Sequence, residues 1–196
     1  MTLEKYYASE FTKEMYLNWI SVLPEEKQKK IQDIRKEKDR FCSVIGYMLA
    51  VKVINENYGI AKSEIEFFFD GNGKPFVKNE GIFISISHSD DLVICAVSDK
   101  VIGVDIEKIR NVNLRTVRKF CTEEEKIYIF GKVPDESSFE NVSDNILLRF
   151  FEIWTKKEAY GKMLGSGVLY DMKNTDVSFV QTERFSDYII SVCEGD

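Results

Sequence analysis

Hydrophobic positions first settle into a helical rhythm after a charged stretch. Phe41, Val44, Ile45, Met48 and Leu49 recur at i, i+3, i+4, i+7 and i+8, one face of a buried helix. Gly59 is placed to end it. Pro24 sits where the first residue of an earlier helix belongs. The pattern then changes to short strands. Ile65 to Phe69 reads as one and Lys74 to Val77 as the next, with Asp70-Gly71-Asn72-Gly73 as the turn between them. Ile82, Ile84 and Ile86 alternate with Phe83, Ser85 and Ser87, the strand period of two. Leu92 to Ser98 and Val101 to Glu107 predict two more strands.

Helical signals return with Leu114 to Phe120, and Thr122 with Glu125 forms the signature of a capping box. Val133 to Asp144 is polar and aperiodic and reads as an exposed loop. Asp144 or Asn145 is expected to cap a long helix running to Leu164, which Gly165-Ser166-Gly167 stops. Closing strands are expected around Val177 to Val180 and Tyr188 to Val192. This order of helices, strands, helices and strands predicts an α+β protein of two halves, residues 1–100 and 101–196.

Composition narrows the class. With 44% hydrophobic and 31% charged residues, 196 residues can bury a core without a staple. The formal net charge of −6 argues against a general nucleic-acid binder. Lys27 to Arg40 reverses that sign locally, which by itself is usually a solvated helix face. Four widely spaced cysteines and a single histidine disfavour structural zinc. Val44 to Ile54, the longest apolar stretch, is interrupted by Tyr47 and Lys52 and is too short to span a bilayer. The N-terminus carries no signal-peptide pattern, so a cytoplasmic protein is expected.

Several constellations could carry chemistry. In Gly103-Val104-Asp105-Ile106-Glu107 the two acids share a strand face, with Val104 and Ile106 on the other. Paired carboxylates suit a hard cation such as Mg²⁺, and they equally suit a solvated strand face. Phe151, Trp154, Glu158 and Lys162 form one helical stripe, whose last two members are either an acid and a base at a core edge or a surface i,i+4 pair. Ser85-Ile86-Ser87-His88-Ser89 could cradle a phosphate or could be a turn with serines bonded to backbone. Lys27 and Lys30, and Gly73-Lys74-Pro75, add cations whose meaning depends on their neighbours.

Taken in order, Gly73-Lys74-Pro75, Ser87-His88-Ser89, Gly103-x-Asp105-x-Glu107 and Trp154-x-x-Lys157-Glu158-Ala159-x-x-Lys162 resemble the 4′-phosphopantetheinyl transferases. The resemblance is to the pseudo-dimeric class that activates peptide and polyketide synthetases, and it runs from about Pro24 to the end of the chain. It implies two similar α+β halves about a pseudo-twofold axis, with coenzyme A in the cleft between them. The implied reaction moves the phosphopantetheine arm of coenzyme A to a serine of an apo acyl or peptidyl carrier protein, releasing 3′,5′-ADP. Asp105, Glu107 and Glu158 would hold Mg²⁺, with Mn²⁺ as an alternative. Glu158 and Lys162 would be catalytic, Lys162 on the diphosphate and Ser87 and His88 on the phosphates. Lys74 would lie beside the adenine, and Lys27, Lys30 and Ser43 near the 3′-phosphate. The resemblance gives Lys157 no definite role. A monomer without nucleic-acid or membrane partners is expected. A coenzyme A binder without activity, or another Mg²⁺-dependent phosphoryl enzyme, is the alternative that the residues leave open.

Overall fold

A computed structural model describes residues 1–71, 73–139, 142–165 and 171–195. In chain order come strand β1 (Thr2–Tyr7) and helices α1 (Lys13–Ile20), α2 (Glu25–Gln32) and α3 (Glu37–Tyr58). Strands β2 (Phe67–Phe69), β3 (Pro75–Val77), β4 (Phe83–Ser89), β5 (Leu92–Ser98) and β6 (Ile102–Lys108) follow. The chain then forms α4 (Val117–Phe120), α5 (Glu123–Phe130), α6 (Asp144–Leu164), β7 (Gln181–Phe185) and β8 (Tyr188–Glu194). Among the described residues no helix is long and apolar enough to cross a membrane.

Two halves repeat one plan. In the first, β1, α3, β4 and β5 build a sheet of order β1-β5-β4 beneath α3; in the second, β6, α6, β7 and β8 build a sheet of order β6-β8-β7 beneath α6. Strand for strand the two sheets have the same antiparallel order. One face of each sheet packs on its own helix. The other faces meet in a shared core of Leu92, Ile94, Val104, Ile106, Tyr188 and Ile190. The sheets join again where Lys5 of β1 pairs with Glu183 of β7 at 3.3 Å. Their other junction, β4 against β6, carries the site.

Sequence and structure differ where elements lie at an edge. β1 escapes the periodicity because all six of its residues are half-buried, so it shows no alternation. The strand expected at Val177 to Val180 is a turn; Val177 and Val180 are buried against Ala159 and Cys193, and the strand is the polar edge segment that follows. Ser143, not Asp144 or Asn145, caps α6 by accepting from the Ile146 amide at 3.4 Å. Pro24 is the residue before the first turn of α2, one position earlier than expected. Leu114 to Phe120 divides into a 3-10 turn and the single helical turn of α4. The loop from Val133 folds a further 3-10 turn, Glu136–Phe139, with Ser138 buried. Gly165 ends α6 with φ 70° as expected. Asn72, Ser166 and Gly167 lie outside the described residues.

Gly103 explains how α6 reaches the sheet. A Cβ at this position would overlap the Ala159 carbonyl oxygen and the Met163 amide nitrogen, which are helix backbone and cannot turn aside. The absent side chain lets α6 lie directly on β6. Gly103→Ala is expected to destabilise by about 1–3 kcal/mol or more, at roughly 2–4 °C of melting temperature per kcal/mol. Thermal unfolding checks this, and transfer activity should fall with it because α6 is displaced.

Candidate active site

β4 and β6 run side by side in the same direction, and serine hydroxyls take the place of a backbone ladder. The Val104 amide donates to Ser85 Oγ at 3.0 Å and the Lys108 amide to Ser89 Oγ at 3.1 Å. The same strand spacing turns Asp105 and Glu107 to the face covered by α6, while Val104 and Ile106 enter the shared core. α6 brings Glu158 and Lys162 over that face, one turn apart.

Asp105 is the centre of the arrangement. It is only 6% exposed. Its Oδ1 accepts from Lys162 Nζ at 2.7 Å and from Ser87 Oγ at 2.9 Å. Lys162 Nζ also donates to Ser87 Oγ at 2.7 Å, closing a triangle. Asp105 Oδ2 is buried and has no hydrogen-bond partner among the described residues. Burial raises the Asp105 pKa above the ordinary carboxylate value, with Lys162 opposing. Glu158, half-buried, is also raised, first by desolvation and then by the nearby Asp105 charge, with Glu107 adding to it. Glu107 Oε2 accepts from Ser89 Oγ at 2.9 Å and from Arg110 at 2.7 Å. Asp105 and Glu158 therefore share an environment that penalises their charged forms, which a cation relieves.

Among the described residues no three acidic or imidazole groups already stand as a closed coordination cluster. The Lys162 ammonium rests on Asp105 instead. The donor set is nonetheless all oxygen, and one buried carboxylate oxygen lacks a partner. Both features fit a hard divalent cation.

The other residues named from sequence have separate surroundings. His88 is exposed on the opposite face of β4 from Ser87; desolvation and then Lys162 lower its pKa. Ser87 instead turns towards β6, where its hydroxyl donates to Asp105. Lys27 Nζ lies over the rings of Phe69 at 4.7 Å and Tyr47 at 5.6 Å, and burial lowers its pKa. Lys30 points outward and pairs with Glu26 at 2.6 Å. Ser43 Oγ donates to the Asp39 carbonyl within α3. Lys74 reaches across from the first half to the end of α6, donating to the carbonyls of Lys162 at 2.6 Å and Met163 at 3.1 Å. It also lines a cleft of about 240 Å³ with Phe76, Phe83, Ile102 and Met163.

Two functional groups lie outside the set drawn from sequence. Lys157, beside Glu158 but on the buried side of α6, pairs with Glu125 at 2.9 Å and donates to the Met172 carbonyl at 2.7 Å. The other oxygen of Glu125 closes the capping box of α5 by accepting from the Thr122 amide. The motif lysine thus ties α5, α6 and the turn at 172–173 together. Ser89, which engages Glu107, was legible as the third member of the alternation Ser85, Ser87, Ser89.

Comparison with known proteins adds independent findings. Residues 101–191 match the family model of the 4′-phosphopantetheinyl transferase superfamily, and residues 10–100 match that of the 4′-phosphopantetheinyl transferase N-terminal region. The chain is 30% identical over 191 residues to the 4′-phosphopantetheinyl transferase gsp of Aneurinibacillus migulanus, covering 88% of this chain and 76% of that one. It is 28% identical over 169 residues to the 4′-phosphopantetheinyl transferase Sfp of Bacillus subtilis, covering 86% and 71%. It is also 28% identical over 131 residues to the 4′-phosphopantetheinyl transferase HetI of Nostoc, covering 64% and 52%.

Proposed function

We propose the following division of labour from one premise: this chain belongs to the 4′-phosphopantetheinyl transferase superfamily. It is a transferase that moves the 4′-phosphopantetheine group of coenzyme A to carrier proteins. Residues 1–100 and 101–196 form the two halves, and the reaction takes place where β4 meets β6.

Asp105, Glu107 and Glu158 would hold Mg²⁺ or Mn²⁺. The observation that carries this reading is the buried, unpartnered Oδ2 of Asp105 beside two further acids. Bound there, the ion would neutralise charge on the diphosphate oxygens. Glu158 lies within the same charge cluster and accepts the proton of the attacking carrier serine. The serine oxygen then bonds to the β-phosphorus, the bond to the bridging oxygen breaks, and 3′,5′-ADP leaves. Lys162 stabilises the departing phosphate by donating from Nζ. The Lys74 cleft takes the adenine, and His88 and Lys27 face the phosphates. Release of 3′,5′-ADP that requires both an apo-carrier and a divalent cation tests this reading; release unaffected by a chelator removes the metal from it.

Lys27 and Lys30 separate by their surroundings. Lys27 is held by two rings with its ammonium partly desolvated, whereas Lys30 is exposed and paired with Glu26. A desolvated cation contributes more to a phosphate contact than a solvated one. Lys27→Ala is therefore expected to weaken coenzyme A binding more than Lys30→Ala. Neither should matter for dephospho-coenzyme A, which lacks the 3′-phosphate. Titration calorimetry with both ligands checks this, and equal weakening for the two ligands excludes a local contact.

A further inference from the structure

The serine ladder of β4 has an uneven division of work. Ser85, Ser87 and Ser89 all face β6 and all are nearly buried. Ser85 only accepts, from the Val104 amide. Ser87 and Ser89 each donate a proton to one acid: Ser87 to Asp105 Oδ1 and Ser89 to Glu107 Oε2, both at 2.9 Å. Ser89 also accepts from the Lys108 amide, so its hydroxyl is fixed from both sides. A hydroxyl held this way cannot rotate away, and the carboxylate oxygen it binds is fixed with it.

The two carboxylates sit two residues apart on β6 and the two hydroxyls two residues apart on β4, in parallel register. A strand period of two thus pairs each acid with its own hydroxyl. The donation engages one oxygen of Asp105 and leaves Oδ2 of the same group without a partner.

We propose that Ser89 is a positioning residue for Glu107, as Ser87 is for Asp105, so that β4 of the first half aims the metal-binding acids of the second. The inference rests on the reading of Asp105 and Glu107 as metal ligands. Outer partners that orient ligands typically contribute about 10–100-fold to metal affinity. Ser85 supplies the control, because it stitches the same two strands through an amide and touches no acid.

Mn²⁺ binding by the whole protein, followed by electron paramagnetic resonance of the free ion with coenzyme A present, tests the proposal. Ser89→Ala is expected to weaken Mn²⁺ binding by about 10–100-fold. Ser85→Ala should leave it unchanged, although both variants lose an acceptor for a β6 amide and both should melt lower. Ser89→Thr, which keeps the hydroxyl, should restore affinity. If Ser89→Ala does not fold, Ser89→Cys takes its place, since a thiol is only a weak donor and should also bind weakly. Normal binding by the Ser89 variants alongside loss in Glu107→Ala overturns the proposal while sparing the metal reading. Normal binding by Glu107→Ala as well overturns both.

Discussion

Asp105→Ala is expected to lower transfer by at least about 10³-fold, the upper end of what one preorganised electrostatic group contributes. The protein should remain folded. Asp105 is buried with its pKa raised, so the fold already opposes its charge, and removing it takes away an unfavourable burial. Lys162 loses its partner, but at 32% side-chain exposure it can turn to solvent. A melting temperature equal to or above that of the unaltered protein, combined with lost activity, is the expected pair of results. A large fall in melting temperature would assign Asp105 to stability instead.

Glu158 and Lys162 should separate chemistry from binding. Glu158→Gln keeps the shape of the side chain and removes both the charge and the proton acceptor. Positioned general bases contribute roughly 10²–10⁴-fold, so kcat should fall by that order while coenzyme A affinity without metal changes little. Lys162→Ala should damage both quantities, because an ammonium beside a diphosphate acts on the bound substrate and on the transition state. Single-turnover kinetics with titrated coenzyme A distinguish the two patterns. Normal turnover by Glu158→Gln at saturating substrate would make the pair a plain helical ion pair.

Much of this was legible in the sequence because the residues concerned follow one period. Asp105 and Glu107 share a face by strand alternation, and Glu158 and Lys162 by the helical turn, so their convergence on one face needed only β6 and α6 to touch. That they do touch depends on Gly103, whose role is visible only against the α6 backbone. Lys157 shows the opposite limit. Its place beside Glu158 suggests the site, yet its side chain turns inward to Glu125, a partner 32 residues earlier in the chain that no local pattern identifies. β1 and β7 were missed because edge strands are half-exposed, and burial rather than backbone conformation creates the alternation that predicts strands. The partner of Ser87 was not legible either. The Ser87 hydrogen bond to Asp105 crosses from one half to the other, and only the docking of the halves reveals it.

The most direct test of the account is mass spectrometry of purified apo-carrier proteins after incubation with this protein, coenzyme A and Mg²⁺. The account predicts that a carrier gains one phosphopantetheine group on a serine, that 3′,5′-ADP appears in equal amount, and that a chelator or Asp105→Ala abolishes both. A broad panel of acyl and peptidyl carriers that stays unmodified with Mg²⁺ or Mn²⁺ present would contradict it.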